Sequence, residues 1–262
     1  MSLPTPEGLN MNTFIALIKR EVLEHKSLWR VPAVLLGIAL LVKMSFTFGN
    51  LHIDFDVPKG FDLESTVDSF LVSAVGKALS GMNYIIMLVM FVVAIFYTLS
   101  SLYNERQDQS VLFWRSLPIS DTQTILAKLA IAMIVIPVLI LVLQSVVAVL
   151  FLGAQSVDYL GSYLSEATVR MAKIMLWSML PTIAWCLFCS QMAKKNPFMM
   201  ALVIPILVIV VDKLFLSGVV SDTFVINRLT GVERYTSGVL IIGSIFSAVC
   251  ISATIARRGE LI

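Results

Sequence analysis

The sequence predicts an all-α integral membrane protein with six transmembrane helices. Hydrophobic residues make up 58% of the chain and charged residues only 14%, whereas a soluble domain carries about 45–50% and about 25%. The apolar residues are gathered into runs of about 18 to 24, the length that a helix needs to cross the hydrocarbon core of a bilayer. Each run must be a helix there, because every backbone N–H and C=O needs a partner within its own segment.

The chain is predicted to begin with a tail and an amphipathic helix. Residues 1–10 lack an apolar core followed by a small-residue cleavage site, so no signal peptide is predicted. The sequence leaves open whether Met1 or Met11 is the natural start. Over residues 12–26 apolar side chains recur at helical spacing, while charged side chains such as Glu21 fill the other face. This pattern predicts a helix that lies in the membrane interface.

Six apolar spans follow and place the whole chain, residues 1–262, in one transmembrane domain. Their predicted bounds are 31–48, 82–102, 129–152, 174–192, 198–216 and 237–256. The prolines inside them are tolerable as kinks or first-turn residues. With the N-terminus inside, eleven Lys and Arg residues flank the spans on the cytoplasmic side and seven on the other side. Because positive residues concentrate in cytoplasmic loops, both termini are predicted to be cytoplasmic.

Two longer segments, 49–81 and 217–236, fall on the predicted outer side, and each leaves room for short helices. Residues 63–79 place apolar side chains at positions i, i+3, i+4 and i+7. This spacing predicts an amphipathic helix on the outer surface that meets the second span near Gly81. Residues 219–235 have room for one or two further short helices.

The inner segment between the second and third spans, residues 103–121, is more than a polar connector. It starts with charged side chains, continues with an apolar cluster and then reaches Pro118, which stops a helix. The cluster comprises Val111, Leu112, Phe113, Trp114 and Leu117. A short helix with exposed aromatic residues at the cytoplasmic face can dock a soluble partner. Alternatively, Phe113 and Trp114 are interfacial residues that dip into lipid, and these residues alone favour neither hypothesis.

This inner segment resembles the corresponding segment of ABC type-2 exporter permeases. The matching residues are Glu105-Arg106, Ser110, Leu112, Leu117-Pro118-Ile119-Ser120 and Lys128. Family members usually carry Gly-Thr where this chain has Gln109-Ser110. The resemblance covers most of the chain: an interfacial helix, six spans, a cytoplasmic coupling helix between spans two and three, and short outer helices before the last span.

The resemblance implies a permease subunit in a bacterial cytoplasmic (inner) membrane. Such a subunit pairs with a second permease, identical or paralogous, and with two copies of a separate ATPase subunit. The resemblance does not identify the substrate; the expected activity is outward movement of a lipophilic or amphipathic molecule, such as a lipid, drug or peptide. By this analogy Glu105 and Arg106 would stay at the membrane edge, paired with charges of the interfacial helix. The residues expected to dock in the ATPase are Leu112, Phe113, Trp114, Arg115, Leu117 and Pro118.

Several function classes are not expected from the sequence. The chain has no G-x-x-x-x-G-K-[ST] phosphate loop, so ATP and Mg are expected on the partner and no cofactor is expected in this chain. No basic cluster alternates with aromatic residues, so a nucleic acid partner is not expected. Catalysis is not expected either, since His25 and His52 lie outside the spans and no span holds an acidic pair. A membrane anchor that docks a cytoplasmic partner without transport remains an alternative.

Two charged residues fall inside the spans. Lys43 and Asp212 each lie four or five residues from the outer end of their span, and a charge in hydrocarbon is costly. One hypothesis is that they pair, or lie close together in the dimer, and the alternative is that each side chain reaches the outer interface by itself.

Uncharged polar residues also occur in the middle of the spans. Those predicted to line a substrate pathway are Gln144, Ser145, Ser178 and Thr182. The alternative is that each is satisfied by its own helix or by a neighbouring helix. In the last span, Gly243 and Ser247, with Ala248 and Ser252, provide faces of small residues that predict close helix packing.

Overall fold

The computed structural model describes residues 11–48, 63–108, 120–153, 156–215, 217–218 and 237–259. These residues are almost entirely helical, which confirms the all-α prediction. In chain order the helices are α1 (Met11–Glu24), α2 (Ser27–Phe48), α3 (Leu63–Gln107), α4 (Asp121–Ala130), α5 (Ile136–Leu152), α6 (Ser156–Ile174), α7 (Leu180–Met192), α8 (Pro197–Phe215) and α9 (Ser237–Gly259). Two π-helical turns, Ile131–Val135 and Met175–Met179, join α4 to α5 and α6 to α7.

Six stretches of the described helices are long and apolar enough to cross a membrane. They are Ser27–Ser45, Leu79–Gln107, Asp121–Leu152, Leu164–Met192, Pro197–Phe215 and Leu240–Arg258. Each of the six predicted spans overlaps one of these stretches. The described residues therefore contain six helices of the predicted kind, and this architecture is that of a multi-pass membrane protein.

The helices extend beyond the predicted spans, most of all in α3 and before the fourth span. Helix α3 runs without a break for 45 residues through Gly81, so the predicted outer helix at 63–79 and the second span are one helix. A helical glycine costs about 1 kcal/mol relative to alanine, which is too little to interrupt a long helix. Helix α6 was not predicted, because its charged residues lower the mean hydropathy of the segment before the fourth span. The predicted short helices at 219–235 lie outside the described residues.

Each π-helical turn ends two residues before a proline. In the first, the N–H of Ile136 bonds to the carbonyl of Ile131, and Pro137 follows. In the second, the N–H of Leu180 bonds to the carbonyl of Met175, and Pro181 follows. Proline lacks an N–H and its ring crowds the preceding turn. The wider π turn accommodates the ring while the neighbouring backbone groups stay hydrogen-bonded, as a helix in hydrocarbon requires.

The described residues belong to two compact units. Of the described residues, the first comprises those within 11–26, 93–108, 120–137, 168–215, 217–218 and 237–259, and the second comprises those within 27–48, 63–92, 138–153 and 156–167. Within the first unit, α9 packs along α7, and α1 packs against α4. On α9, Gly243 and Ser247 are buried, as expected of a packing face, whereas Ala248 and Ser252 of the same prediction are exposed. On α7, Cys186 and Cys189 lie in an apolar cluster with Leu99 of α3.

Candidate functional site

Five charged side chains from four helices of the first unit meet in one network, here called the charged cluster. It consists of Glu21 from α1, Glu105 from α3, Asp121 and Lys128 from α4, and Arg258 from α9. Glu21, Glu105, Lys128 and Arg258 are only 2%, 6%, 1% and 3% exposed. Removing an ion from water costs several kcal/mol, so ions this deeply buried need partners of opposite charge.

Lys128 joins two carboxylates that come from different helices. Its Nζ lies 2.7 Å from Oε1 of Glu21 and 3.0 Å from Oε1 of Glu105. The ammonium therefore places two of its three donors in charge-assisted hydrogen bonds. This arrangement fixes α1 and α3 to the same point on α4.

Arg258 joins the two residues that border the predicted coupling helix. Its Nε lies 2.8 Å from Oδ1 of Asp121, and its Nη1 lies 3.1 Å from Oε2 of Glu105. The fork of a guanidinium has the geometry to hold two acceptors at once. Glu105 is thus shared, with one oxygen on Lys128 and the other on Arg258. Both ends of the segment between α3 and α4 are held by one side chain from the last helix.

Glu21 has further partners on its own side of the cluster. The hydroxyl of Tyr97 donates to its Oε2 at 3.4 Å, and Nε2 of His25 lies 3.6 Å from the same oxygen. The His25 ring packs edge-on against Tyr97, with centroids 4.7 Å apart. Burial raises the pKa of Glu21, but the hydrogen bond from His25 and the charge of Lys128 lower it by more, to about 2. Glu21 is therefore a carboxylate at physiological pH.

Local helix chemistry positions the residues of α4 and α9. Ser120 caps α4, because its hydroxyl accepts the N–H of Gln123 at 3.2 Å. Asp121 follows in the first turn of α4, and Arg258 lies in the last turn of α9. A negative charge at a helix start and a positive charge at a helix end both interact favourably with the helix dipole.

Arg106 takes part in a different network from Glu105. Its Nη2 donates to the carbonyls of Ser190 and Ala193, each at 2.7 Å. These carbonyls belong to the end of α7, where backbone acceptors lack partners within the helix. The hydroxyl of Tyr103 donates to the carbonyl of Lys195 at 2.5 Å. The last two turns of α3 therefore hold the connection between α7 and α8.

A polar cavity of about 160 Å³ adjoins the charged cluster. Its lining residues are Glu24, His25, Ser101, Asn104, Glu105, Asp108 and Lys128. Because these side chains offer several donors and acceptors, the cavity suits water rather than an apolar ligand. Water in this cavity would contact the charged cluster at Lys128 and Glu105.

The structure does not describe the residues predicted to dock in a partner. Leu112, Phe113, Trp114, Arg115, Leu117 and Pro118 all lie within 109–119, outside the described residues. Their described neighbours are Asp108, which is exposed, and Ser120, which caps α4. The docking assignment thus stays a prediction.

The two charged residues inside the spans have different surroundings. In the second unit, the ammonium of Lys43 donates to the backbone carbonyl of Leu150 at the end of α5. In the first unit, Asp212 is buried in α8, and its backbone carbonyl accepts the N–H of Gly218 at 3.2 Å. The predicted pairing of Lys43 with Asp212 stays a prediction.

The predicted pathway residues divide into two groups. Ser145 donates to the carbonyl of Leu141, and Thr182 donates to the carbonyl of Ser178, each at 2.7 Å. These bonds lie within one helix, as the alternative hypothesis for such residues describes. Gln144 instead is buried, and its Nε2 donates to the backbone carbonyl of Asn83 at 3.2 Å. Gln144 therefore makes a contact between helices α5 and α3.

Sequence reasoning missed most of the charged cluster. Glu21 was predicted to lie on the polar face of an interfacial helix, yet it is buried beside Leu17. The reason is Lys128, whose charge allows the carboxylate to leave water. Arg258 and Asp121 gave only a weak signal, which is that each is a charged residue at the border of an apolar run.

A search against protein-family models, curated proteins and solved structures found no match to this chain. Among the residues that the structure describes, no group of three or more His, Cys, Asp and Glu side chains is arranged to hold a metal ion. The functional interpretation therefore depends on the resemblance in the inner segment and on the geometry of the charged cluster.

Proposed function

We propose that this chain is the permease subunit of an ABC type-2 exporter, inserted in a bacterial cytoplasmic membrane with both termini inside. A separate ATPase, present in two copies, would supply ATP hydrolysis, and a second permease would complete the pathway. The six apolar helices and the motif from Glu105 to Lys128 support this proposal. The cargo would be lipophilic or amphipathic, because its route lies within the membrane.

The observation that carries the proposal is the pair of bonds made by Arg258. A loop that merely connects two spans has no need for a common anchor at its ends. Here Glu105 and Asp121, which border the segment at 109–119, bind the same guanidinium at 3.1 and 2.8 Å. An anchored loop can transmit force, since a push on it moves the helices on both sides together.

The charged cluster would distribute that force over four helices. Lys128 connects α4 to α1 through Glu21 and to α3 through Glu105, while Arg258 adds α9. Breaking a buried ion pair by removing one partner costs about 3–5 kcal/mol. Such bonds therefore persist during moderate helix movements, and the four helix ends would move as one body.

The proposed cycle follows from this connection. ATP-driven closure of the two ATPase subunits would press on the helix that carries Phe113 and Trp114. The charged cluster would pass the movement to α1, α3, α4 and α9. These helices would then shift between two arrangements that expose the pathway to opposite sides of the membrane. Arg106, bonded to the end of α7, would draw the connection between α7 and α8 along with α3.

The proposal is tested by purifying the chain from its native membrane with associated proteins. We expect an ATPase with a phosphate loop to co-purify, and Trp114→Ala to abolish this association. Trp29→Ala is the matched control, because Trp29 is an exposed tryptophan at the start of α2. If Trp114→Ala and Phe113→Asp retain full binding and coupling, the docking assignment is wrong. Association without any ATP-dependent flux would identify a membrane anchor instead.

A further inference from the structure

One face of α3 forms a wall of the polar cavity that adjoins the charged cluster. Four lining residues recur there at positions i, i+3, i+4 and i+7, which share one side of a helix: Ser101, Asn104, Glu105 and Asp108. The N–H of Asp108 donates to the carbonyl of Asn104 at 2.9 Å, so the helical spacing continues to Asp108. Glu24 and His25, where α1 ends, and Lys128 of α4 complete the lining. A volume of about 160 Å³ has room for several waters or for a small polar group.

The exposure of the lining residues separates the mouth of the cavity from its floor. Glu24, Asn104 and Asp108 are exposed, whereas Lys128 and Glu105 are only 1% and 6% exposed. A group that enters from outside therefore meets two carboxylates and an amide before it reaches the buried ion pair.

The mouth of the cavity carries negative charge. Glu24 bonds to the guanidinium of Arg20 at 3.2 Å, whereas no cation of the described residues bonds to the carboxylate of Asp108. The ammonium of Lys128 does not offset this charge, because it is already bonded to two buried carboxylates at 2.7 and 3.0 Å. The mouth therefore favours a cation over an anion.

A primary ammonium matches the groups at the mouth. It has three N–H donors, and the side chains of Glu24, Asp108 and Asn104 all offer oxygen acceptors. A quaternary ammonium carries the same charge but has no N–H to donate. A metal ion is less suited, since no three His, Cys, Asp or Glu side chains in the described part of the chain are arranged to hold one.

The position of the cavity along the helices indicates where such an ammonium would come from. The α3 face lies at the end of the membrane-length stretch Leu79–Gln107, and Lys128 lies near the start of Asp121–Leu152. The cavity would thus face the level of the lipid head groups, beside the hydrocarbon core. Lys26, which is exposed two residues after Glu24, offers a cation for the phosphate of a lipid.

We propose that this cavity binds a primary ammonium, and that its source is a lipid head group of the aminoethyl type, as in phosphatidylethanolamine. The ammonium would lie between Glu24 and Asp108 with Asn104 as a third acceptor, and the phosphate would lie outside the cavity on the side of Lys26. The proposal goes beyond the proposed function, since lipid binding requires neither an ATPase nor transport. Water also fills a polar cavity, so the test compares head groups that differ in their N–H donors.

The test measures which lipid the full chain retains. The chain is reconstituted in equal amounts of phosphatidylethanolamine and phosphatidylcholine with the same acyl chains, extracted in mild detergent and weighed by native mass spectrometry. We expect about tenfold more bound phosphatidylethanolamine, the ratio given by one charge-assisted hydrogen bond at the weak end of its range. Equal retention of the two lipids overturns the proposal.

A second lipid mixture separates the cavity from the basic residues around it. Phosphatidylglycerol replaces phosphatidylcholine in this mixture, because it is anionic and has no ammonium. We expect phosphatidylethanolamine to be retained in preference to it. A preference for phosphatidylglycerol would show that exposed lysines select the lipid, and it would refute the cavity as the site.

Two variants locate the effect. Asp108→Asn removes the charge at similar volume, and we expect it to bring the ratio of the two zwitterionic lipids close to one. Asp108 is exposed and belongs to none of the buried ion pairs. Glu24→Gln, on the other side of the mouth, should reduce the ratio as well. Glu166→Gln is the matched control, because this exposed glutamate of α6 does not line the cavity. An unchanged ratio in both Asp108→Asn and Glu24→Gln would refute the site.

Free ethanolamine distinguishes a lipid from a soluble amine. Hydrogen exchange of backbone amides over residues 20–26 and 101–108 is measured in phosphatidylcholine nanodiscs, with either ethanolamine or phosphatidylethanolamine added at the same total concentration. We expect slower exchange with the lipid only. Equal protection by ethanolamine would keep the ammonium site but refute the lipid as its source, and protection by neither would refute the site itself.

Discussion

Arg258 and Glu105 are 153 residues apart in the sequence, yet Nη1 of the first lies 3.1 Å from Oε2 of the second. Both side chains are buried, and the same guanidinium also binds Asp121. The end of the last helix therefore holds both borders of the inner segment. This relationship connects the part of the chain that resembles a coupling helix to the rest of the helix bundle.

Loss of Arg258 is expected to destabilise the protein strongly. Arg258→Met would remove one of the cations beside the buried Glu105 and the bond to Asp121, at a cost of about 3–5 kcal/mol, the usual range for a broken buried ion pair. Thermal unfolding of the purified protein in detergent measures the effect. Arg257→Met is the matched control, since Arg257 is the exposed neighbour. Equal losses in the two variants would contradict the assignment of Arg258 to the cluster.

Lys128 is expected to matter more for stability than Glu21. Lys128→Met would leave two buried carboxylates without their common cation, whereas Glu21→Gln leaves Lys128 still bonded to Glu105. The double variant that combines Lys128→Met with Glu21→Gln should recover part of the stability lost in Lys128→Met, because it removes one of the two carboxylates. A double-mutant cycle on the free energy of unfolding tests this order. A larger loss in Glu21→Gln than in Lys128→Met would refute it.

Acid is expected to weaken the charged cluster through Glu21. The folded protein lowers the pKa of this carboxyl from 4.5 to about 2, so the unfolded chain binds the proton more tightly. The stability that Glu21 contributes is therefore fully present above pH 4.5 and is lost as the pH falls towards 2. Melting temperatures measured between pH 7 and pH 3 should show the difference between wild type and Glu21→Gln shrinking in acid. A difference that is independent of pH would contradict this linkage.

Arg106 is expected to hold the connection between α7 and α8. Arg106→Met removes two hydrogen bonds to the carbonyls of Ser190 and Ala193. Water would then replace Arg106 as the hydrogen-bond donor to these carbonyls. Hydrogen exchange of backbone amides over residues 190–196 should become faster in this variant, while exchange within α9 stays the same. Unchanged exchange over 190–196 would show that Arg106 does not stabilise this connection.

The sequence was sufficient to predict the spans, because a bilayer imposes a length and a polarity that are visible in one chain. It did not predict the full helix lengths. The turns from Asp121 to Lys128 and the whole of α6 are polar enough to fall below the hydropathy of a span. Mean hydropathy identifies the part of a helix that lies in hydrocarbon. The helix itself continues wherever its backbone hydrogen bonds and side-chain contacts allow.

The charged cluster was beyond sequence reasoning for a different reason. The bond between Lys128 and Glu21 spans 107 residues, and nothing in either local sequence identifies the partner. The apolar residues of 12–26 recur at helical spacing, and Glu21 falls between them, so it was placed on the polar face of that helix. Only the packing of α1 against α4 reveals that its partner is close enough to replace water.

The most direct test of the coupling proposal is Arg258→Lys in the complex with the ATPase that co-purifies. Lysine keeps the positive charge but lacks the planar fork that reaches both Glu105 and Asp121. The account predicts that Arg258→Lys still binds the ATPase, while transport per ATP hydrolysed falls about tenfold, equivalent to about 1.4 kcal/mol of lost coupling, and Arg257→Lys behaves as wild type. Transport per ATP that is equal in Arg258→Lys and wild type would contradict the account.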